Sequence, residues 1–294
     1  MTTATTSPEA ARRNVLARFG ASNVLIVLAL LILAVVVFCA LSGDLLAPID
    51  PAKQSLRGRL VGPGTEVRGT LHWLGTDAIG RDILSLLVAG AQPALFVSLM
   101  SVLIGASFGT LLGLLSGYVG GRAKGWLLYG TNLQLSFPFF LLAVTIVGIL
   151  RPSMPLVIFV IALGTWVPFA RIALSETMQI RELEYIEAVR VMRGSQLRII
   201  LRHILPNILP NLLVLFTFAM GNAIVLESGL SFVGLGVPSQ TPTWGRMLSE
   251  GRDYMQSAWW LTLFPGVAIF LLVLSINILG ERARDLLDPK MMGR

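Results

Sequence analysis

Six apolar stretches set the terms for this chain: Ala21–Leu41, Gln92–Gly117, Trp126–Leu150, Pro155–Leu174, Pro210–Leu226 and Ala258–Leu279. A run of about 20 apolar residues is what a helix needs to cross the roughly 30 Å hydrocarbon core of a bilayer. No water pairs with exposed N–H and C=O groups in that core, so each span must satisfy its own backbone, as a helix does. The expected fold class is an all-α polytopic membrane protein with six transmembrane helices. Pro210–Leu226 is the weakest of the six, near the lower limit of a spanning length. Pro138, Pro168 and Pro265 fall inside or near the ends of spans, where kinks are tolerated if neighbours satisfy the freed carbonyls. With 54% hydrophobic and 13% charged residues and a mean hydropathy of +0.76, the chain is not a soluble enzyme.

Residues 1–20 read as a polar tail carrying Arg12, Arg13 and Arg18. The apolar run that follows is too long for the core of a signal peptide, and no small-x-small cleavage site comes after it. Phe38 before Cys39 also spoils a lipoprotein site, so a retained first helix is expected. Cys39 is the single cysteine, which excludes an internal disulfide, and no Cys/His cluster suggests a metal. The net charge of +7 is a matter of topology and not of nucleic acid. With the N-terminus placed in the cytoplasm, 15 Lys and Arg fall inside and 8 outside, while the acidic residues split 8 and 8. The positive-inside rule therefore puts both ends in the cytoplasm.

The long charged segment between apolar blocks, Arg181 to Asn211, falls on that same side. Its first half has Leu183, Ile186, Val189 and Met192 three apart on one helical face. Glu182, Glu184 and Glu187 lie in the early turns and Arg190 and Arg193 in the last, as a helix dipole favours. Gly194 can end this helix, and Ser195 can cap a second, Gln196 to Leu205, which Pro206 closes off. Two helices joined at a sharp corner, greasy on one face and charged on the other, make either a docking knob or an amphipathic loop on the membrane surface.

Elsewhere, Gly105, Gly109, Gly113 and Gly117 recur every four residues, with Ser101 one step earlier. The bland reading is tight helix packing and the functional one a sliding contact along a transport path; packing is favoured. Gly75, Thr76, Asp77, Gly80, Arg81 and Asp82 form a turn-rich run that becomes helical from Asp82. No Gly-Lys-Ser/Thr follows it, so it is not a phosphate loop. Gly229-Leu230-Ser231 invites a serine-hydrolase reading with His72, but no base–orienter arrangement is visible. Asn132, Gln134, Asn222 and Asn277 are polar residues within spans, either path-lining or interhelical hydrogen bonds. Arg171 and Glu227 fall at the ends of spans, and no ionisable group falls near a middle. The tryptophan pair Trp259–Trp260 is expected at a membrane boundary. A transporter with neither a buried proton relay nor an ATP-binding loop must borrow its driving force.

The segment from Arg181 to Asn211 resembles the cytoplasmic loop of permease subunits of binding-protein-dependent ABC importers, in which a Glu-Ala-Ala…Gly…Leu-Pro pattern marks the helix that docks into the ATPase. Glu187, Ala188, Leu205 and Pro206 fall in register. Val189 replaces the second alanine, Arg193 stands where the glycine is expected, Gly194 follows one residue late, and His203 takes a position usually isoleucine. The Gly75-to-Asp82 run and the C-terminal Asn277-to-Pro289 segment resemble the dipeptide/oligopeptide/nickel-type permeases, with Leu86 and Gln92 in place of two arginines. The resemblance is to the C-type permease of the pair. It implies a second permease partner, two cytoplasmic ATPases that use ATP and Mg, an outer substrate-binding protein, and no cofactor on this chain. It also implies Glu184, Glu187, Ala188, Arg190, Arg193 and Gly194 as the ATPase contact. The expected organisation is a cytoplasmic tail (1–20), a first helix with an outer loop (21–91), a five-helix core containing the coupling segment 181–206 (92–281), and a second cytoplasmic tail (282–294). A gradient-driven carrier working alone, and more remotely an intramembrane serine hydrolase, are the alternatives.

Overall fold

A computed structural model describes residues 8–67, 69–192, 195–238 and 241–287. Helix α1 (Pro8–Ser42) leads into a loop with two short 3-10 turns and a small antiparallel hairpin, β1 (Thr65–Val67) and β2 (Thr70–His72). Helices α2 (Ile83–Val119), α3 (Gly121–Leu135), α4 (Phe139–Leu150) and α5 (Met154–Ile180) follow. Then come the short helices α6 (Glu184–Val191) and α7 (Gln196–Ile199), α8 (Leu205–Phe232), α9 (Trp244–Arg252) and α10 (Trp260–Leu287). Their starts are chemically marked. Asp82, Ser153, Ser195 and Thr243 are N-caps whose side-chain oxygens accept from Ser85 N, Leu156 N, Arg198 N and Arg246 N, satisfying donors that a first helical turn leaves orphaned.

Five helices are long and apolar enough to cross a membrane, and the α3–α4 pair makes a sixth only if counted as one span. That pair covers the span expected over Trp126–Leu150 and bends by 80° at residues 136–138, a sharper break than the kink expected at Pro138. Pro138 is the cause. It disfavours helical φ/ψ at Phe137 and carries no N–H to continue the ladder.

A second departure concerns Pro206. The helix does not stop there: Gln196–Phe232 runs as one candidate span of 37 residues, far longer than Pro210–Leu226. The continuity is possible because Ile200–Ile204 forms a π turn, in which Leu205 N bonds to Ile200 O. The widened turn opens the ladder just ahead of Pro206, whose ring would otherwise meet the carbonyl four residues back.

The core lies among α2, α5, α8 and α10, where Val97, Val160, Ile161, Phe169, Ile224 and Leu272 are at most 1% exposed. Helix α1 runs along the outside with Val24, Leu25, Leu31 and Phe38 exposed, an apolar surface for lipid. The tightest contact is between α2 and α5. A Cβ placed on Gly105, Gly109, Gly113 or Gly117 would stand 2.9, 2.2, 2.4 or 2.8 Å from atoms of α5. With no side chain on this stripe, the two backbones approach directly.

The bundle has two distinct ends. One carries the hairpin and α9, and the other carries α6 and α7. Since α2 starts at the hairpin end and finishes beside Arg181, the chain reaches α6 on the opposite side from α9.

Candidate functional site

At the far end of α5, Arg181 Nη1 donates to Gly117 O (2.9 Å) and Tyr118 O (3.0 Å). Those are carbonyls of the last turn of α2, unpaired within that helix and at the negative end of its dipole. Arg181 thus ties the ends of α2 and α5 together one turn before α6 begins. No local sequence signal distinguishes this arginine from its neighbours, because its partners are 63 and 64 residues away.

Helix α6 is pinned by Ile186, which is fully buried, with Val189 half-buried beside it. The return path is pinned by Ile199 and Ile204, both at 0% exposure. The apolar face is therefore shorter than the four-residue stripe expected from the sequence. Leu183 and Met192 point outward, 46% and 74% exposed. Tyr185, Val191, Leu197 and Leu201 are likewise exposed, so the corner presents several large apolar side chains to its surroundings. Glu184, Glu187, Ala188 and Arg190 are exposed on the same short helix, whose acidic first turn and basic last turn follow the expected dipole pattern. Arg193 and Gly194 lie outside the described residues. Ser195 caps α7 as expected, accepting from Arg198 N at 3.3 Å.

At the opposite end, the Gly75-to-Asp82 run is a folded knot. Thr76 donates to Gly58 O (2.5 Å) and accepts from Val61 N (2.9 Å), while its carbonyl accepts from Trp260 Nε1 (3.2 Å). Trp260 is accordingly buried at 8% exposure and only Trp259, at 50%, fits the expected boundary position, because the indole N–H of Trp260 is spent inside the protein. Asp77 accepts from Ile79 N, Arg81 N and Arg81 Nε. Arg81 Nη2 then reaches Glu250 Oε2 (2.8 Å), and Glu250 Oε1 accepts from Arg246 Nε (2.7 Å). Gly80 sits at φ +79° with a hypothetical Cβ only 1.9 Å from Ser55 O. Replacing Arg81 by Met should lower stability by about 3 kcal/mol, since it strips partners from two partly buried carboxylates. Thermal unfolding of the purified protein in detergent checks this, an unchanged midpoint being the contrary result.

Ser231 Oγ donates to Glu227 Oε1 (2.7 Å), and His72 Nδ1 pairs with Asp82 Oδ1 (2.9 Å). The His–Asp pair was not visible in the sequence, yet it serves another end. Asp82 caps α2, and Ser231 and His72 line separate cavities. Ionisable groups also enter the spans more deeply than the apolar windows suggest. Arg171 is nine residues from the end of α5, Glu176 lies within it, and Glu227 is fully buried in α8. Hydrogen bonds between or within helices make these positions tolerable, as in Asn211 Nδ2 to Glu176 Oε1 at 2.6 Å.

The polar span residues separate into two groups. Asn132 Oδ1 accepts from Arg171 Nη2 (2.6 Å), and Thr131 Oγ1 accepts from Arg171 Nε (3.3 Å). Gln134 accepts from Trp166 Nε1 (2.7 Å) and donates to Leu163 O, holding α3 against α5. An open groove of about 560 Å³ runs between these helices, with Lys124, Asn132, Arg171, Gln179 and Glu182 in its wall. Asn222 is exposed on α8, and Asn277 of α10 faces Gly221 of α8, apart from that groove.

A bundle of helices long and apolar enough to cross a membrane, with a helical corner at one end, defines a polytopic membrane protein. The chain belongs to the binding-protein-dependent transport system inner membrane component family, whose model matches residues 109–293. It is 39% identical over 269 residues to a dipeptide transport system permease protein of Alkalihalophilus pseudofirmus, covering 92% of this chain and 87% of the relative. It is also 39% identical over 220 residues to a glutathione transport system permease protein of Pectobacterium atrosepticum, covering 75% of this chain and 73% of the relative. Among solved structures, inward-facing MetNI methionine ABC transporter matches with a TM-score of 0.56 at 23% identity, covering 69% of this chain and 96% of that one. That last likeness concerns the fold alone. Together they make the chain a multi-pass bacterial inner-membrane component that functions with partner subunits.

Proposed function

We propose that the chain is the permease subunit of an ATP-driven importer of di- or oligopeptides, pairing with a second permease to form the translocation path. Of two cytoplasmic ATPases, which bind the ATP and Mg, one docks on the α6–α7 corner of this chain and the other on the second permease, and an extracytoplasmic substrate-binding protein meets the hairpin end. The single observation that carries this reading is the corner itself: Glu184, Glu187, Ala188 and Arg190 stand exposed alongside large apolar side chains, on a base fixed by Ile186, Ile199 and Ile204. A rigid base lets an external subunit move the helices above it as a body, the switch that alternating access needs. The orientation follows the positive-inside count, which places the corner and both ends in the cytoplasm. Peptide as the substrate class is supported by the dipeptide and glutathione names of the relatives.

Reconstitution tests it. Proteoliposomes holding this chain with its permease partner, ATPases and binding protein should accumulate a radiolabelled dipeptide only when ATP is supplied on the cytoplasmic side. Accumulation by the chain alone under a proton gradient would establish a gradient-driven carrier instead.

A further inference from the structure

We propose that Arg171 binds the C-terminal carboxylate of the transported peptide, as a charged subsite on the inner half of the path. The proposal rests on the peptide-importer reading. Three observations point to it, and the first is depth. Arg171 lies nine residues before Ile180, about 13 Å along the helix at the usual rise per residue. Roughly two and a half helical turns therefore separate it from the C-terminal end of α5.

The second observation is direction. A membrane arginine ordinarily bends its long side chain toward the nearer interface. Here the guanidinium is held sideways against α3 by Asn132 Oδ1 and Thr131 Oγ1. Both acceptors are neutral. Arg171 takes no part in the ion pairs found among the described residues, and its remaining N–H groups have no protein acceptor there. A cation fixed in a span without a counter-ion is expensive and points to an oxyanion that comes and goes.

The third is the space in front of it. The groove of about 560 Å³ falls within the size of small-ligand pockets. Its charged groups are Lys124, Arg171 and Glu182, and Glu182 pairs with Arg181 at 3.4 Å. Among the described residues no ion pair joins that carboxylate to Arg171. With Nε and Nη2 already donating to α3, the Nη1–Nη2 edge of the guanidinium is left to match a carboxylate in a fork, which an ammonium cannot do.

The test uses the complete permease–ATPase complex in nanodiscs, without binding protein, and radiolabelled alanyl-alanine as the probe. In wild type, unlabelled alanyl-alanine should compete about 10-fold better than its C-terminal amide, the scale of a charge-assisted hydrogen bond. Arg171→Gln should weaken dipeptide binding by about 10-fold and remove the distinction between acid and amide. Arg171→Lys should keep part of the preference, and Asn132→Ala, which frees the guanidinium, should fall between. Co-purified ATPase and its basal ATP hydrolysis should be the same in every variant, which separates lost binding from lost assembly.

Three results overturn the proposal. The acid-over-amide preference could survive in Arg171→Gln. The wild-type complex could show no saturable binding of alanyl-alanine. The Arg171 effect could appear only in discs containing phosphatidylglycerol and vanish in phosphatidylcholine, making the oxyanion a lipid phosphate. Failure of the wild-type importer to accumulate any dipeptide with binding protein and ATP present is a different outcome, and it rejects the peptide-importer reading itself.

Discussion

Gly109→Val is expected to reduce the membrane-inserted, assembled protein at least tenfold, whereas Gly125→Ala should match wild type. At Gly109 the added Cβ would stand 2.2 Å from Trp166 O and 3.0 Å from the Phe169 Cβ, against 3.4 Å for ordinary contact. The nearest atom is backbone, so no rotamer change relieves the clash. Helices α2 and α5 must separate by about 1 Å. Because each helix is stiff, the gap spreads to Gly105, Gly113 and Gly117, which rest on Ala162 O, Ala170 O and Thr177. Overpacking of this kind costs about 3 kcal/mol, near the top of its usual range, and valine's branch leaves no way round it. Around Gly125 nothing lies within 4 Å, so a methyl meets open space. Quantifying the chain by detergent extraction and size-exclusion chromatography tests both variants. Normal yield of the Gly109→Val complex would show that the α2–α5 contact is not what holds the bundle together.

The same glycines show what a sequence exposes and what it hides. Their spacing of four is a one-dimensional pattern, so a shared face could be read directly, and only the partner helix was missing. The spans were legible for a similar reason: hydropathy averaged over about 20 residues responds to solvent, not to neighbours. That averaging also explains the two failures. Phe137 and Pro138 keep the Trp126–Leu150 window apolar, so the 80° break between α3 and α4 is invisible to it. Asn207 and Asn211 pull the start of α8 down, so Gln196–Phe232 appeared as a short span beginning at Pro210. Those polar groups are satisfied by His203 O and Glu176 Oε1, which hydropathy does not count.

Long-range partners were beyond reach altogether. Arg81 could be read as part of a turn, but its partner Glu250 is 169 residues away. The indole of Trp260 reaches back 184 residues to Thr76. Arg181 and Arg171 carried no distinguishing local signal either, and each acquires its meaning from α2 or α3. Helix ends and turn chemistry are local and were readable at Asp82 and Ser195. The pairing of ends is tertiary and was not.

Glu187→Lys is expected to cut ATP-driven uptake at least tenfold while leaving membrane insertion and overall stability unchanged. Glu187 is exposed on α6 and takes no part in the ion pairs found among the described residues, so reversing its charge removes little within the fold. The same exposure makes it available to a docked ATPase. Placing a like charge where a complementary one is required costs several kcal/mol at a buried interfacial contact, enough to dissociate the corner or decouple its movement. Ile186, one residue earlier, provides the contrast. It is fully buried, so Ile186→Ala should lower stability by about 3 kcal/mol by creating a cavity under α6, and its transport defect should follow the loss of folded protein. Measuring uptake, ATP hydrolysis and complex yield for both variants distinguishes an exposed contact from a buried support. Glu187→Lys transporting at the wild-type rate, with normal yield, would remove this glutamate from the coupling surface and leave the apolar rim of Leu183, Val191 and Met192 to hold the ATPase.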